Sequence, residues 1–385
     1  MARAREVLDE MVAACASRDL PRLERCLCDN RNTFARLKKR VAPVITCCHN
    51  GFHEAIPLLC AGGAQLNEAC EGTTPLLEAT RKGDAVALSI LLAHGADPNL
   101  GGEKGLLSLM LAARLGLPEC VRLLLAHGAG INLADARQWT ALHEAAAYGQ
   151  AECVQILLSE GADPLARTRL CMGKECLRSL RGFTPLHLAA QEGHVAVVEL
   201  LLACTPVNIR SNEGETPLLS SSKSRNVDTV TLLLNRGADI EAANRYGCTT
   251  LIAAVSRGDL NIIRLLLNRG ANPAADYEDL GPAITMASRD VPGNEDRDKR
   301  AMVDLLLEYG ADVNQVCAET GNTALHSAVC ARDREFVRFL LDRGARYGSL
   351  NHGRTELDVA RIIGDNEMAG LILQYGHITD LDHKH

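Results

Sequence analysis

Three histidines recur in one setting: Thr140-Ala141-Leu142-His143, Thr184-Pro185-Leu186-His187 and Thr323-Ala324-Leu325-His326. An imidazole can serve as general base or metal ligand, so these are the first residues to ask for chemistry. Nothing beside them completes such a site. No serine, cysteine or aspartate nucleophile signature accompanies them, and no paired carboxylates stand apart. The glycines punctuate turns and do not form a phosphate-binding loop. The histidine slot is therefore read as structural, with the ring bonded to backbone and tying adjacent turns together. The expectation is a chain with no catalytic residues, no metal site and no cofactor, hence not an enzyme.

The cysteines are the other reactive class. Cys15, Cys47, Cys120, Cys153 and Cys330 fall where helices place small apolar side chains, which predicts buried thiols rather than disulfides. Cys26 with Cys28, and the adjacent Cys47-Cys48, lack metal-ligand spacing. Cys171 and Cys176 have no histidine or further cysteine nearby to complete a zinc site.

The elements that position these residues repeat. The phrase Thr-Pro-Leu-His or a variant starts at Thr74, Leu107, Thr140, Thr184, Thr216, Thr249 and Thr323, mostly 33 residues apart. Each copy continues into an alanine-rich stretch, a Gly or polar break, a leucine run and a closing Gly-Ala, as at Gly161-Ala162. A fixed period excludes one closed globular core and predicts stacked small units, each burying its face on the next. Thr caps and Pro at the first position start an inner helix. In the copy from Thr184, Leu186, Ala189 and Ala190 form one face, and Gly193 ends that helix. Val197, Val198, Leu200, Leu201 and Leu202 then form the stripe of an outer helix. Cys204-Thr205 replaces Gly-Ala there, which predicts an irregular helix end.

The period, the Thr-Pro-Leu-His core and the closing Gly-Ala-Asp resemble the ankyrin-repeat family over nearly the whole chain. The resemblance implies an all-α solenoid of about eleven helix-turn-helix units with β-hairpin tips. Residues 1–40 are expected as an N-terminal capping unit and 41–376 as repeats. Insertions fall near 166–181 and 289–300, and 377–385 is a short tail. One elongated stack is expected.

Composition agrees. Apolar residues make up 47% and aromatics only 3%, which suits cores of Leu, Ala and Val. The formal net charge is −7 without a basic run, which argues against nucleic acid. No apolar stretch is long enough to span a bilayer, and the N-terminus lacks an apolar signal core. A cytoplasmic or nuclear location and a monomeric state are expected.

The departures from the repeat point to function. Trp139, the only tryptophan, precedes Thr140 at a hairpin tip, Phe183 holds the same place one unit later, and Tyr148 ends the intervening inner helix. Together they are candidate anchors for a partner protein. Basic residues at inner-helix ends, Arg81, Lys82, Arg114, Arg225, Arg257 and Arg332, would line a cationic stripe that steers an acidic segment. The basic loop Arg167–Arg181 reads either as a partner-contacting finger or as a drifted loop, and Arg289–Arg300 as a solvated loop. The resemblance also implies asparaginyl hydroxylation, for which Asn314 in Asp312-Val313-Asn314 fits best, with Asn99, Asn132 and Asn208 weaker.

Trp139-Thr140-Ala141-Leu142-His143-Glu144-Ala145-Ala146 and Asn212–Leu219 are similar to ankyrin arrays of the SOCS-box family, which select substrates for a cullin ubiquitin ligase. The stretch after Gly376 is too short for a SOCS box. The reading is a non-catalytic scaffold that holds a partner protein, with substrate recognition for a ubiquitin ligase as one role. An inhibitor of a signalling or transcription protein and an adaptor between membrane proteins and cytoskeleton are the alternatives.

Overall fold

The structure is a computed structural model and describes residues 2–34, 41–102, 105–169, 182–277, 281–289 and 297–382. Among the described residues it is built of helix pairs with one short strand pair. The helices are α1 (Ala2–Ser17), α2 (Leu20–Phe34), α3 (Ala42–Asn50), α4 (Ala55–Ala61), α5 (Pro75–Arg81), α6 (Ala85–Ala93), α7 (Ser108–Leu115), α8 (Pro118–Ala126), α9 (Ala141–Ala147), α10 (Ala151–Ser159), α11 (Pro185–Glu192) and α12 (Val195–Leu202). They continue as α13 (Pro217–Ser221), α14 (Val227–Asn235), α15 (Thr250–Arg257), α16 (Leu260–Asn268), α17 (Ala283–Ala287), α18 (Lys299–Glu308), α19 (Ala324–Cys330), α20 (Arg334–Asp342), α21 (Glu356–Ile362) and α22 (Asn366–Asp382). Strands β1 (Asp276–Tyr277) and β2 (Gly281–Pro282) pair antiparallel. The chain forms two compact units: residues 1–189 with 196–205, and residues 190–195 with 206–385.

Local chemistry sets each helix. Thr74 Oγ1 accepts the Leu77 N–H at 3.2 Å and Thr216 Oγ1 accepts the Leu219 N–H at 3.2 Å, so threonine caps these inner helices. Aspartates cap several of the outer ones: Asp84 accepts from Ala87 N–H and Asp333 from Phe336 N–H. Gly161 ends α10 at φ +92°, where a Cβ would meet nothing within 4 Å. Backbone conformation, not crowding, therefore requires glycine there. At Cys204-Thr205 no such glycine is present. The α12 end tightens instead into short-range bonds, Ala203 N–H to Leu200 O and Cys204 N–H to Leu201 O.

Packing follows the period. Leu142, Ala145 and Ala146 of α9 and Cys153, Val154 and Leu157 of α10 are all buried, as are Val197, Val198 and Leu201 of α12. Truncating a leucine here, such as Leu157→Ala, carries a cost of about 2–5 kcal/mol. Leu200 and Leu202 are only half-buried, so the expected stripe on α12 is narrower than its leucine run. The asparagines that end the repeats join neighbouring turns. Asn67 Nδ2 donates to Gly95 O at 3.2 Å while its Oδ1 accepts Asp97 N–H at 2.8 Å. Asn99 and Asn314 repeat the arrangement.

Several expectations are corrected. Cys15, Cys47, Cys120 and Cys153 are buried, but Cys330 is exposed, because it is the last residue of α19 and lies with the exposed Ala331 and Arg332 at the helix end. The loop expected over Arg289–Arg300 ends earlier: Asp298 caps α18, and Lys299 and Arg300 are its first residues. The tail from 377 continues α22 to Asp382. Residues 170–181 of the basic insertion, with Cys171 and Cys176, lie outside the described residues, as do 290–296.

Candidate partner-binding surface

Each candidate residue sits where an inner helix ends or a hairpin turns. In the first unit these residues form one network around Glu144. That carboxylate is fully buried on α9. Arg114, at the end of α7, donates to it through Nε at 2.8 Å and Nη2 at 2.6 Å, a bidentate pair. Those bonds push the Arg114 guanidinium still further above its usual pKa. Arg137 approaches the same carboxylate at 3.5 Å and bonds Asp135 at 2.8 Å. Asp135 also accepts the Arg137 and Trp139 N–H groups at 2.8 and 2.9 Å, which fixes the hairpin.

The aromatic rings lie over these guanidiniums. Arg137 stacks over Trp139 at 4.8 Å and Arg114 over Tyr148 at 5.5 Å. Trp139 is half-buried, and Tyr148 is 54% exposed. The result is an aromatic surface whose side chains are already held in place, so a partner pays little ordering entropy to use it.

Phe183 does not belong to this surface. It is fully buried and packs its ring on His187 at 5.0 Å. The base of the insertion closes over it: Phe183 N–H donates to Thr168 Oγ1 at 2.9 Å, and its carbonyl accepts the Thr168 N–H at 2.9 Å. Nor are Arg81 and Arg114 spare cations. Arg81 pairs with the buried Glu78, which also holds His49 at 2.8 Å. Lys82 is exposed.

In the second unit Arg225, Arg257 and Arg332 are all exposed. Arg257 donates to Lys223 O at 3.4 Å and Arg332 to Ile363 O at 3.3 Å, both carbonyls at the ends of neighbouring inner helices. Lys223 itself pairs with Glu215 at 2.6 Å. Asn314 is committed on both faces of its amide, donating to Gly344 O at 3.1 Å and accepting Arg346 N–H at 2.7 Å.

The histidine slot is structural in detail. Thr140 N–H donates to His143 Nδ1 at 3.2 Å, so Nε2 carries the proton and donates to Phe183 O at 3.3 Å. Burial drives this imidazole's pKa down to about 4. His326 makes the same link to Arg354 O at 3.4 Å and also meets the buried Glu356, which stands in the proline slot of the next repeat, at 3.1 Å. Among the described residues no cluster of three or more His, Cys, Asp or Glu could hold a metal, and no helix is long and apolar enough to cross a membrane.

Residue-type reasoning missed Glu78 and Glu144. Both follow the histidine slot directly, in Thr74-Pro75-Leu76-Leu77-Glu78 and Thr140-Ala141-Leu142-His143-Glu144, where later copies have Ser220, Ala253 and Ser327. An acid recurring at one repeat position beside helix-end arginines was the available signal.

Comparison with known proteins agrees with this architecture. A model of ankyrin repeats (3 copies) matches residues 11–101, 87–168, 169–244, 206–279 and 294–383. The E3 ubiquitin-protein ligase KEG of Arabidopsis thaliana is 28% identical over 209 residues, covering 52% of this chain and 13% of that protein. The NF-kappa-B inhibitor delta of Homo sapiens is 37% identical over 203 residues, covering 46% of this chain and 65% of that protein. The chain thus spans less than two thirds of the length of either curated relative. The crystal structure of the human ASB11 ankyrin repeat domain superposes with a TM-score of 0.52 at 28% identity, over 62% of this chain and 99% of that one. With threonine-capped inner helices, Gly-Ala helix ends and histidines tying successive turns, and with family matches along most of its length, this chain belongs to the ankyrin-repeat family.

Proposed function

We propose that the chain is a non-catalytic recognition module, monomeric and cytoplasmic or nuclear, that holds a partner protein against its hairpins and inner-helix ends. Ankyrin repeats mediate binding between proteins, and the observation that carries the reading here is the Trp139–Tyr148 surface. Its rings are stacked on arginines fixed by the buried Glu144. Preorganised Trp, Tyr and Arg are the residue types that dominate binding energy at interfaces. Substrate selection for a ubiquitin ligase is the favoured role, supported by the likeness to the E3 ubiquitin-protein ligase KEG. The 37% identity to NF-kappa-B inhibitor delta favours a second reading, inhibition by covering a partner's interface.

The test is quantitative partner capture from cells with wild type beside the Trp139→Ala, Tyr148→Ala double variant, after circular dichroism shows equal helicity. Loss of a specific partner supports the reading, and its identity separates ligase substrate from inhibited protein. A partner list identical for the two proteins rejects the aromatic surface. Hydroxylation of Asn314 is a separate proposal; an unchanged peptide mass after treatment with an asparaginyl hydroxylase rejects it.

A further inference from the structure

In the first unit, the base of the insertion is tied to the hairpin that carries Trp139. Arg169 N–H donates to Arg137 O at 2.8 Å. Two further main-chain bonds close the base itself: Thr168 N–H to Phe183 O and Gly182 N–H to Thr168 O, both at 2.9 Å. Main-chain bonds of this kind hold neighbouring chains about 5 Å apart. Arg169 therefore stands beside Arg137, whose guanidinium lies over the Trp139 ring at 4.8 Å. Burial alternates along the base, with Thr168 buried and Arg169 exposed.

The charges here do not cancel. Arg114 and Arg137 are matched by the two carboxylates they bond, Glu144 and Asp135. Arg169 is left over: among the described residues its side chain makes no hydrogen bond or ion pair. Arg167, by contrast, donates through Nη1 to Gly182 O at 3.3 Å. The exposed acid six residues before Arg169, Asp163, is engaged in its own turn, where Oδ1 accepts the Leu165 N–H at 2.9 Å. Residues 170–181 lie outside the described residues and are no part of the site. Their composition, Lys174, Arg178 and Arg181 against Glu175, brings no acidic excess to it. A spare guanidinium beside a half-buried tryptophan is thus a local cationic excess in a chain of net charge −7.

Resting on the reading of the Trp139 surface as a protein-binding site, we propose that its partner segment carries an anionic side chain, a carboxylate or a phosphate, that pairs with Arg169. An apolar neighbour in the segment lies against Trp139. The planar guanidinium fork bonds either anion through two parallel N–H groups, which orients the segment as well as attracting it. Arg137, already bonded to Asp135, holds the ring in place, while Arg169 supplies the charge that the partner meets. The acid-binding position is therefore at the hairpins, not along the inner-helix ends, where Arg81 and Arg114 are taken up by buried acids.

Three arrays of random 12-residue peptides, with glutamate, phosphoserine or glutamine fixed at the centre, test this against the full chain. The tightest peptides should come from the glutamate or the phosphoserine array, and which of the two names the source of the anion. Binding of the best synthetic peptide should weaken at least about tenfold on Arg169→Glu and on Trp139→Ala, remain largely intact on Arg169→Lys, and be unchanged on Arg225→Glu in the second unit, all with native circular dichroism. Equal binding to the glutamine array, no binding to any array, or an equal loss on Arg225→Glu would overturn the proposal. Binding that survives Arg169→Glu but fails on Trp139→Ala would overturn it and leave the aromatic surface standing, whereas binding that survives both variants would remove both.

Discussion

Arginines at the ends of inner helices do different work in the two units. In the first, Arg114 reaches the buried Glu144 at 2.6 Å and Arg81 pairs with the buried Glu78. In the second, Arg225 and Arg257 are exposed, and the positions matching Glu78 and Glu144 are Ser220 and Ala253. Arg81 and Arg114 stand seven residues after the first residue of their repeats, Thr74 and Leu107, and meet a buried carboxylate; Arg257 and Arg225 stand eight and nine residues after Thr249 and Thr216 and are exposed, with Arg257 donating to the Lys223 carbonyl. A charge stripe read from one residue class alone overstates the free charge, because the buried acids Glu78, Glu144 and Glu215 take up part of it.

The largest effect that would break this contrast is at Arg114. Replacing it by alanine strands Glu144 in the core with only the more distant Arg137. A loss of about 3–5 kcal/mol is expected in urea unfolding. A loss under about 1 kcal/mol would mean that the pair is solvated and that the two units do not differ in this way.

His143 sharpens the contrast through pH. Its pKa falls from 6.5 in the unfolded chain to about 4 in the fold, because burial penalises the charged ring. The unfolded chain therefore takes up a proton near pH 6.5 that the folded chain refuses until about pH 4. Stability is lost as pH drops through that window, by up to about 3 kcal/mol. His143→Leu should flatten that part of the pH–stability profile, since Leu77, Leu219 and Ile252 already fill this slot in other repeats. An unchanged profile would show that other groups carry the pH dependence.

In the second unit, Asn314→Ala removes two hydrogen bonds to the next turn. A cost of about 1–3 kcal/mol is expected, with hydrogen exchange accelerated first in α20 to α22. Uniform acceleration across both units would contradict a local role. The smallest effect is expected for Arg257→Ala: within about 0.5 kcal/mol of wild type, because the side chain is exposed.

Much of this molecule was legible in the sequence because the repeat fixes the period. The helix pairs, the threonine caps at Thr74 and Thr216, the Gly-Ala helix ends and the histidine links at His143 and His326 all follow from local rules that each copy restates. What escaped depends on contacts between copies. Phe183 reads as an exposed tip residue by its place in the repeat, yet the insertion before it folds its base through Thr168 and buries the ring. Arg114 reads as a surface cation until the carboxylate 30 residues later is placed against it.

The most direct measurement places Arg114→Ala beside Arg257→Ala and records urea stability for each. The account predicts that Arg114→Ala loses several kcal/mol while Arg257→Ala stays within about 0.5 kcal/mol of wild type. Equal stability losses in the two variants would contradict it.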